Sequence, residues 1–327
     1  LDDLKFVKYS NDLRIELKNS PGDVIRIKDH HSRSNQIEKL DFADGTSYDI
    51  SGITAGTSEG EDISVDDGCS VFYANEGRDV VRLGLGSVVV YAGSGNDTIV
   101  GGSGYDELYG EDGLDTIYGS GGADVIDGGA GGDCVSYISS SDSVTINTRT
   151  FQGSAGDASG DTYSSVEIFH GSKNRDKFVA GANSLIYNGN PGDDIFEVDT
   201  ISNSSYEGGV GSDSIKYSEL GNKLTLDLEA GTATEYGSNK VDHISGIENV
   251  VGSDYYDVIS GNDAVNDIKG GGGDDYLYGK GGIDNIYGGS GRDYIYGGNH
   301  GDYLDGGDGQ DFLFGESGHD VLKGGKG

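Results

Sequence analysis

The chain has 327 residues, 57 Asp plus Glu against 22 Lys plus Arg, and a formal net charge of −35. A polyanion of this size repels nucleic acid and anionic membrane surfaces, attracts cations and resists compaction without them. Its 60 glycines leave two classes open, a disordered acidic chain or a repeat protein that needs counterions.

Residues 1–55 read as a small β domain. Leu13, Ile15 and Leu17 alternate, as do Ile25 and Ile27, and "SPGD" between the runs predicts a hairpin. "LDFADGTSYDI" predicts a further strand with a turn at Asp44-Gly45. The chain begins without Met or a signal-peptide pattern and ends inside a repeat, so it reads as a piece of something longer. No apolar run reaches the ~18 residues of a membrane span.

Residues 56–136 form a first repeat block. From Ala74 the sequence divides into nines. The sixth place holds Asp79, Val88, Asp97, Asp106, Asp115, Asp124 and Asp133, and the eighth holds Val81, Val90, Ile99, Leu108, Ile117, Ile126 and Val135. A β insert follows over 137–170. A degenerate block, 171–216, keeps Asp176, Asp194 and Asp213 at sixth places, with Phe178, Phe196 and Ile215 at eighth places. A second β insert spans 217–251 and matches the first. Val144-Thr145-Ile146 corresponds to Leu224-Thr225-Leu226, and Val166-Glu167-Ile168 to Ile247-Glu248-Asn249. The last block, 252–327, has Asp257, Asn266, Asp275, Asp284, Asp293, Asp302, Asp311 and Asp320 at sixth places, with Ile or Leu at every eighth place. No segment sustains a helical period, so the fold class is all-β.

One nonapeptide explains its own chemistry. Glycines at the first, second and fourth places permit a tight turn with φ > 0. A three-residue strand follows, and its middle, aliphatic residue faces inward. One strand cannot bury that residue, so successive turns must coil and stack. Stacking brings the sixth-place aspartates together beside turned-in carbonyls. A hard divalent cation taking six to eight oxygens suits that donor set, and calcium suits it better than magnesium, which wants a stiffer shell and keeps its waters.

The GGxGxDxUx pattern resembles the nonapeptide of the RTX (repeats-in-toxin) family. "NDLRIELKNSPGDVIRIKDHHSRSNQIEKLDFADGTSYD" resembles the haemolysin-type calcium-binding-related domain that accompanies it, and the inserts resemble β-rich stretches beside serralysin-type rolls. The resemblance implies parallel, right-handed β-rolls with two nonapeptides per coil, interrupted by β-hairpin inserts, with calcium between loops one coil apart. Carried onto this sequence, it pairs Asp79, Asp97, Asp115 and Asp133 along one edge and Asp106 with Asp124 on the other. In the last block it pairs Asp257, Asp275, Asp293 and Asp311, and likewise Asp284, Asp302 and Asp320. On the order of ten ions are implied if the weaker loops contribute. Val88 and Asn266 depart from the pattern, and sites there should be weak or absent. The family also implies a secreted or cell-surface location, export by type I secretion machinery as an unfolded chain, and folding on calcium outside. The expected parent is a large adhesin, then a pore-forming toxin, then a secreted lipase, protease or epimerase carrying a roll. No catalytic role is expected of this region.

Other features read more plainly. Gly56-Thr57-Ser58-Glu59-Gly60 fits a nucleophile elbow by chance, without strand-to-helix context. Cys69 and Cys134, several coils apart, lie beyond the ~7 Å reach of a disulfide and should be free. His30-His31 reads as a solvated loop. His300 replaces a turn glycine and His319 precedes Asp320, so both belong on the surface. The fifth-place residues Asn96, Tyr105, Leu114 and Ala123 form no flat ladder of Thr or Asn, which excludes an ice-binding face. In the last block Tyr276, Tyr278, Tyr294, Tyr296, Phe312 and Phe314 share one outward face, opposite Asn285, Tyr287, Tyr303, Asp305, Val321 and Lys323. That aromatic face reads first as cross-strand stacking and second as a docking surface for a neighbouring segment, a second copy or carbohydrate.

Overall fold

A short strand between glycine turns can bury only its middle residue, and the structure, a computed structural model, lays the chain out in such strands. It describes residues 4–9, 12–17, 20–27, 39–41, 47–49, 52–65 and 67–327. Among the described residues the only helical element is the 3₁₀ turn Gly156–Ala158. The chain divides into two compact units, residues 1–139 with 157–167, and residues 140–156 with 168–327. The first insert is therefore shared between the units.

In the first unit two parallel sheets face each other across a thin core. One runs through Ile53–Ala55, Val71–Tyr73, Val89–Ser94, Glu107–Gly113, Val125–Asp127 and Thr162–Ser164. The other runs through Asp62–Ser64, Val80–Arg82, Thr98–Val100, Thr116–Tyr118 and Cys134–Ser136. Val90 pairs with Leu108 and Ile99 with Ile117, so the coil repeats every second nonapeptide. Val81, Val90, Ile99, Leu108, Ile117, Ile126 and Val135 are all fully buried.

The N-terminal strands Leu4–Tyr9, Asp12–Leu17 and Ser20–Ile27 form an antiparallel sheet with Leu13 opposite Ile27 and Ile15 opposite Ile25. The hairpin stands, but Ser20–Asp23 opens the third strand, and the register shifts between Glu16 and Leu17. Strands Lys39–Asp41 and Ser47–Asp49 pair antiparallel. The Asp44-Gly45 turn and His30-His31 lie outside the described residues. Leu4, Phe6, Leu13 and Ile15 pack against Ile53 and Ala55, and the Lys8 amide donates to the Gly56 carbonyl. Ile53–Ala55, grouped by sequence with the N-terminal segment, pairs as the first strand of the roll.

The second unit repeats the architecture. Phe178, Phe196 and Ile215 stack in register in one sheet, continued by Val250, Ile268, Ile286, Leu304 and Leu322. In the facing sheet Ile259, Leu277, Ile295 and Leu313 stack likewise. The second insert is an antiparallel hairpin, Leu224–Asp227 with Thr232–Glu235, whose second strand also pairs antiparallel with Val241–Ser245. The first insert contributes the hairpin Thr145–Asn147 with Gln152–Ser154. Neither Cys69 nor Cys134 is in a disulfide.

Candidate metal centre

Each sixth-place aspartate sits where the turn passes into the strand, and stacking sets it under its counterpart one coil on. Its amide donates to the Oδ1 of that counterpart. The step recurs at Asp79→Asp97, Asp97→Asp115 and Asp115→Asp133, at 2.7–2.8 Å, and at Asp106→Asp124, 2.8 Å. In the second unit it recurs at Asp176→Asp194→Asp213, Asp257→Asp275→Asp293→Asp311 and Asp284→Asp302→Asp320. Every sequence pairing along the two edges is therefore a direct ladder contact.

The second oxygen is different. Oδ2 of Asp79, Asp97, Asp115, Asp124, Asp133, Asp194, Asp213, Asp275, Asp284, Asp293, Asp302 and Asp311 is buried without a hydrogen-bond partner. An unpaired buried carboxylate oxygen costs free energy comparable to, or greater than, a lost charged hydrogen bond. Its proton affinity records this. Desolvation pushes Asp275 up to about 8, Asp115, Asp124 and Asp194 up to about 7, and Asp79, Asp213, Asp284 and Asp293 up to about 6. The amide bond to Oδ1 pulls each the other way, and neighbouring carboxylates of the ladder push again.

The orphan oxygen faces a cradle. A Cβ placed on the first-place glycines Gly110, Gly270, Gly279 or Gly288 would collide with the aspartate Oδ2 of its own turn and with the carbonyl oxygen of the glycine one coil on. Carboxylate oxygens and inward main-chain carbonyls around a small polar gap are the donor set of a hard divalent cation. Among the described residues no three carboxylate, imidazole or thiol groups converge as a cluster. The residues fit calcium.

The ladder positions are not equivalent. Asp106 Oδ2 accepts from the Gly102 amide at 3.1 Å. Asp176 Oδ2 is taken by the Ser172 amide and hydroxyl, and Asp257 Oδ2 by those of Ser253. Asn266 turns its amide to the Glu248 carbonyl and accepts from the Asn262 amide, so both of its polar atoms are bonded. Val88 offers only its amide, which Asp106 Oδ1 accepts.

The inserts supply ladder groups that the nonapeptide pattern does not contain. Asp124 donates to Asp161, Asp133 to Glu167 and Asp213 to Glu248. Asp161 in turn takes the Tyr137 hydroxyl, which also bonds Tyr163. Asp242 takes the amides of Ser202 and Ser204 and, at 3.5 Å, the Tyr217 hydroxyl. The one sequence signal for these groups was the alignment of the inserts, which sets Glu167 against Glu248.

The aromatic face stacks in register along its sheet, with Phe312 and Phe314 exposed. Tyr276, Tyr294 and Phe312 follow at centroid spacings of 4.7 and 4.8 Å, and Tyr278, Tyr296 and Phe314 at 5.1 and 4.7 Å. The first unit has a comparable stack, Tyr73, Tyr91 and Tyr109 at 5.0 Å, on which Phe6 packs. Ser58 lies exposed in a turn followed by the strand Asp62–Ser64, with no helix behind it.

This is a coiled parallel β repeat whose turns carry ladders of cation-competent carboxylates. The family model of the RTX calcium-binding nonapeptide repeat matches residues 73–108, 106–133, 244–277, 269–299, 278–313 and 296–327, and that of the haemolysin-type calcium-binding protein related domain matches residues 12–51. Residues 73–133 and 244–327 thus carry RTX calcium-binding nonapeptide repeats, preceded by the related N-terminal domain. Neither model is that of a catalytic family. No curated protein matches the chain in sequence.

Proposed function

We propose that this region is a calcium-operated folding element of a secreted protein, exported unfolded through a type I system and structured by calcium outside the cell. The observation that carries this reading is the series of buried, partnerless Oδ2 atoms in each unit. Without a cation they hold the roll back, and with one they become its strongest contacts. Binding free energy is then folding free energy. Low calcium inside the cell keeps the chain open for export, and millimolar calcium outside closes it. The parent we favour is a large adhesin, because stackable coils with nearest-neighbour contacts are spacer material. A pore-forming toxin or a secreted enzyme would carry the same element, and the flanking sequence of the full gene product separates the three.

The test is far-UV circular dichroism of the chain in chelator and after adding back calcium or magnesium. We expect β-structure to be lost in chelator and restored by calcium alone. A spectrum that chelator does not change refutes the proposal.

A further inference from the structure

Where an insert interrupts the repeats, the nonapeptide motif stops, but the ladder on one edge does not. The Asp133 amide donates to Glu167 Oε2 at 2.9 Å, across 34 residues of chain. The Asp213 amide donates to Glu248 Oε2 at 2.9 Å, across 35. Each glutamate thus occupies the place held elsewhere by the next aspartate. The aspartates they meet are buried, and Oδ2 of Asp133 and of Asp213 has no partner.

The carbonyl side of the cradle is rebuilt as well. A Cβ on Gly128 would strike the Ser165 carbonyl oxygen and Asp133, and one on Gly208 would strike the Gly246 carbonyl oxygen and Asp213. These carbonyls stand where the next first-place glycine carbonyl stands in an ordinary coil. Ser165 and Gly246 both adopt left-handed backbone, at φ +49° and +58°. For a serine that conformation is strained, and it turns the carbonyl toward the gap. In a nonapeptide the carbonyl and the carboxylate lie five residues apart, as in Gly128 and Asp133. In each insert they lie two apart, Ser165 to Glu167 and Gly246 to Glu248. The extra methylene of glutamate supplies the reach that the shortened turn gives up.

On the opposite edge of the first insert Asp161 takes the ladder place, accepting the Asp124 amide, while Asp124 Oδ2 stays without a partner. The Tyr137 ring occupies the cradle at Gly119, and its hydroxyl bonds Asp161. Tyr217 and two serine amides satisfy Asp242 in the second insert.

We propose that Glu167 and Glu248 complete two calcium sites outside the nonapeptide motif, the first with Asp133 and the Ser165 carbonyl, the second with Asp213 and the Gly246 carbonyl. Each insert is then clamped by a cation on one edge and carries a tyrosine–aspartate bond on the other. The inference rests on the calcium reading of the ladders. It makes the return of each insert to the roll calcium-strengthened, because the ion adds a tie across a loop end that hydrogen bonds alone otherwise hold.

The experiment counts calcium ions per full chain by native mass spectrometry, with calorimetric titration for affinity. Glu167→Gln and Glu248→Gln keep an oxygen for the aspartate amide and remove the charge. Each should lose one ion, or bind it at least about tenfold more weakly, and the double variant should lose two. Tyr137→Phe should lose none. A double variant with the wild-type ion count and affinities overturns the proposal. If a Gln variant does not fold in calcium, Glu167→Asp decides, since it keeps the charge and shortens the reach. Weakened uptake of one ion supports the proposal, and wild-type uptake overturns it. A wild-type chain that takes up no calcium overturns the calcium reading and this inference with it.

Discussion

Asp275 is the sharpest place to test whether the ladder is frustrated without a cation. Its Oδ1 accepts the Asp257 amide at 2.7 Å, its Oδ2 is buried and partnerless, and burial pushes its carboxyl from 3.8 up to about 8. Between those values the calcium-free fold holds a proton that the unfolded chain releases. The contribution of Asp275 to the stability of the calcium-free fold is therefore fully present below about pH 3.8, declines as pH rises, and is lost by about pH 8. At about 1.4 kcal/mol per pH unit, the interval from 3.8 to pH 7 amounts to about 4 kcal/mol from this one residue. Asp275→Asn removes the titration, and Asn266 shows that a sixth-place amide can be buried with both polar atoms bonded. In chelator the variant should keep its β-structure to higher pH than the wild type. In calcium the order should reverse, because the variant has lost an anionic ligand. The assay is circular dichroism against pH with chelator, beside a calcium titration at pH 7. If the variant loses β-structure in chelator at the same pH as the wild type or lower, the frustrated-ladder reasoning is refuted.

Gly288→Ala should abolish local calcium uptake and destabilise the coil, since its Cβ collides with Asp293 Oδ2 and the Gly306 carbonyl; ion counting and thermal unfolding in calcium report both. Ile286→Ala, at a fully buried position, should cost about 2–5 kcal/mol in calcium, measured by denaturant unfolding. Tyr137→Phe leaves Asp161 without its buried hydroxyl donor and should cost about 1–3 kcal/mol at neutral pH by the same measurement. Substituting Tyr294 and Phe312 with Ser should leave calcium-induced folding intact if the aromatic face serves docking; loss of folding would assign the stack to structure.

The parts legible in the sequence are those in which one residue does one job. A three-residue strand has a single inward position, so the eighth-place column names the core directly. The family resemblance supplies a coil of two nonapeptides, and with it the contacts of Asp97 with Asp115 and Asp284 with Asp302 follow from counting. Glu167 and Glu248 were hidden because a longer side chain on a shorter turn reaches the same point, which no fixed spacing encodes. Tyr137 and Asp161 meet only once the insert has folded back. Tyr73, Tyr91 and Tyr109 kept the same spacing of eighteen, but at ninth places, where the last block drew attention to another sheet. Ser172 and Ser253 satisfy Asp176 and Asp257 because serine stands at a second place that glycine usually fills.

The ladder also has a polarity. In every step the donor is the amide of the earlier coil and the acceptor is the carboxylate of the later one. Removing a coil from the front of such a stack strands an acceptor, which water solvates readily. Removing one from the back strands the ladder amides of the preceding aspartates and opens the cradles that the later carbonyls closed. The two ends of a roll are thus unequal. The aspartate ladder thus has a direction that the strand ladders lack: each aspartate's amide rests on a carboxylate supplied by chain that follows it.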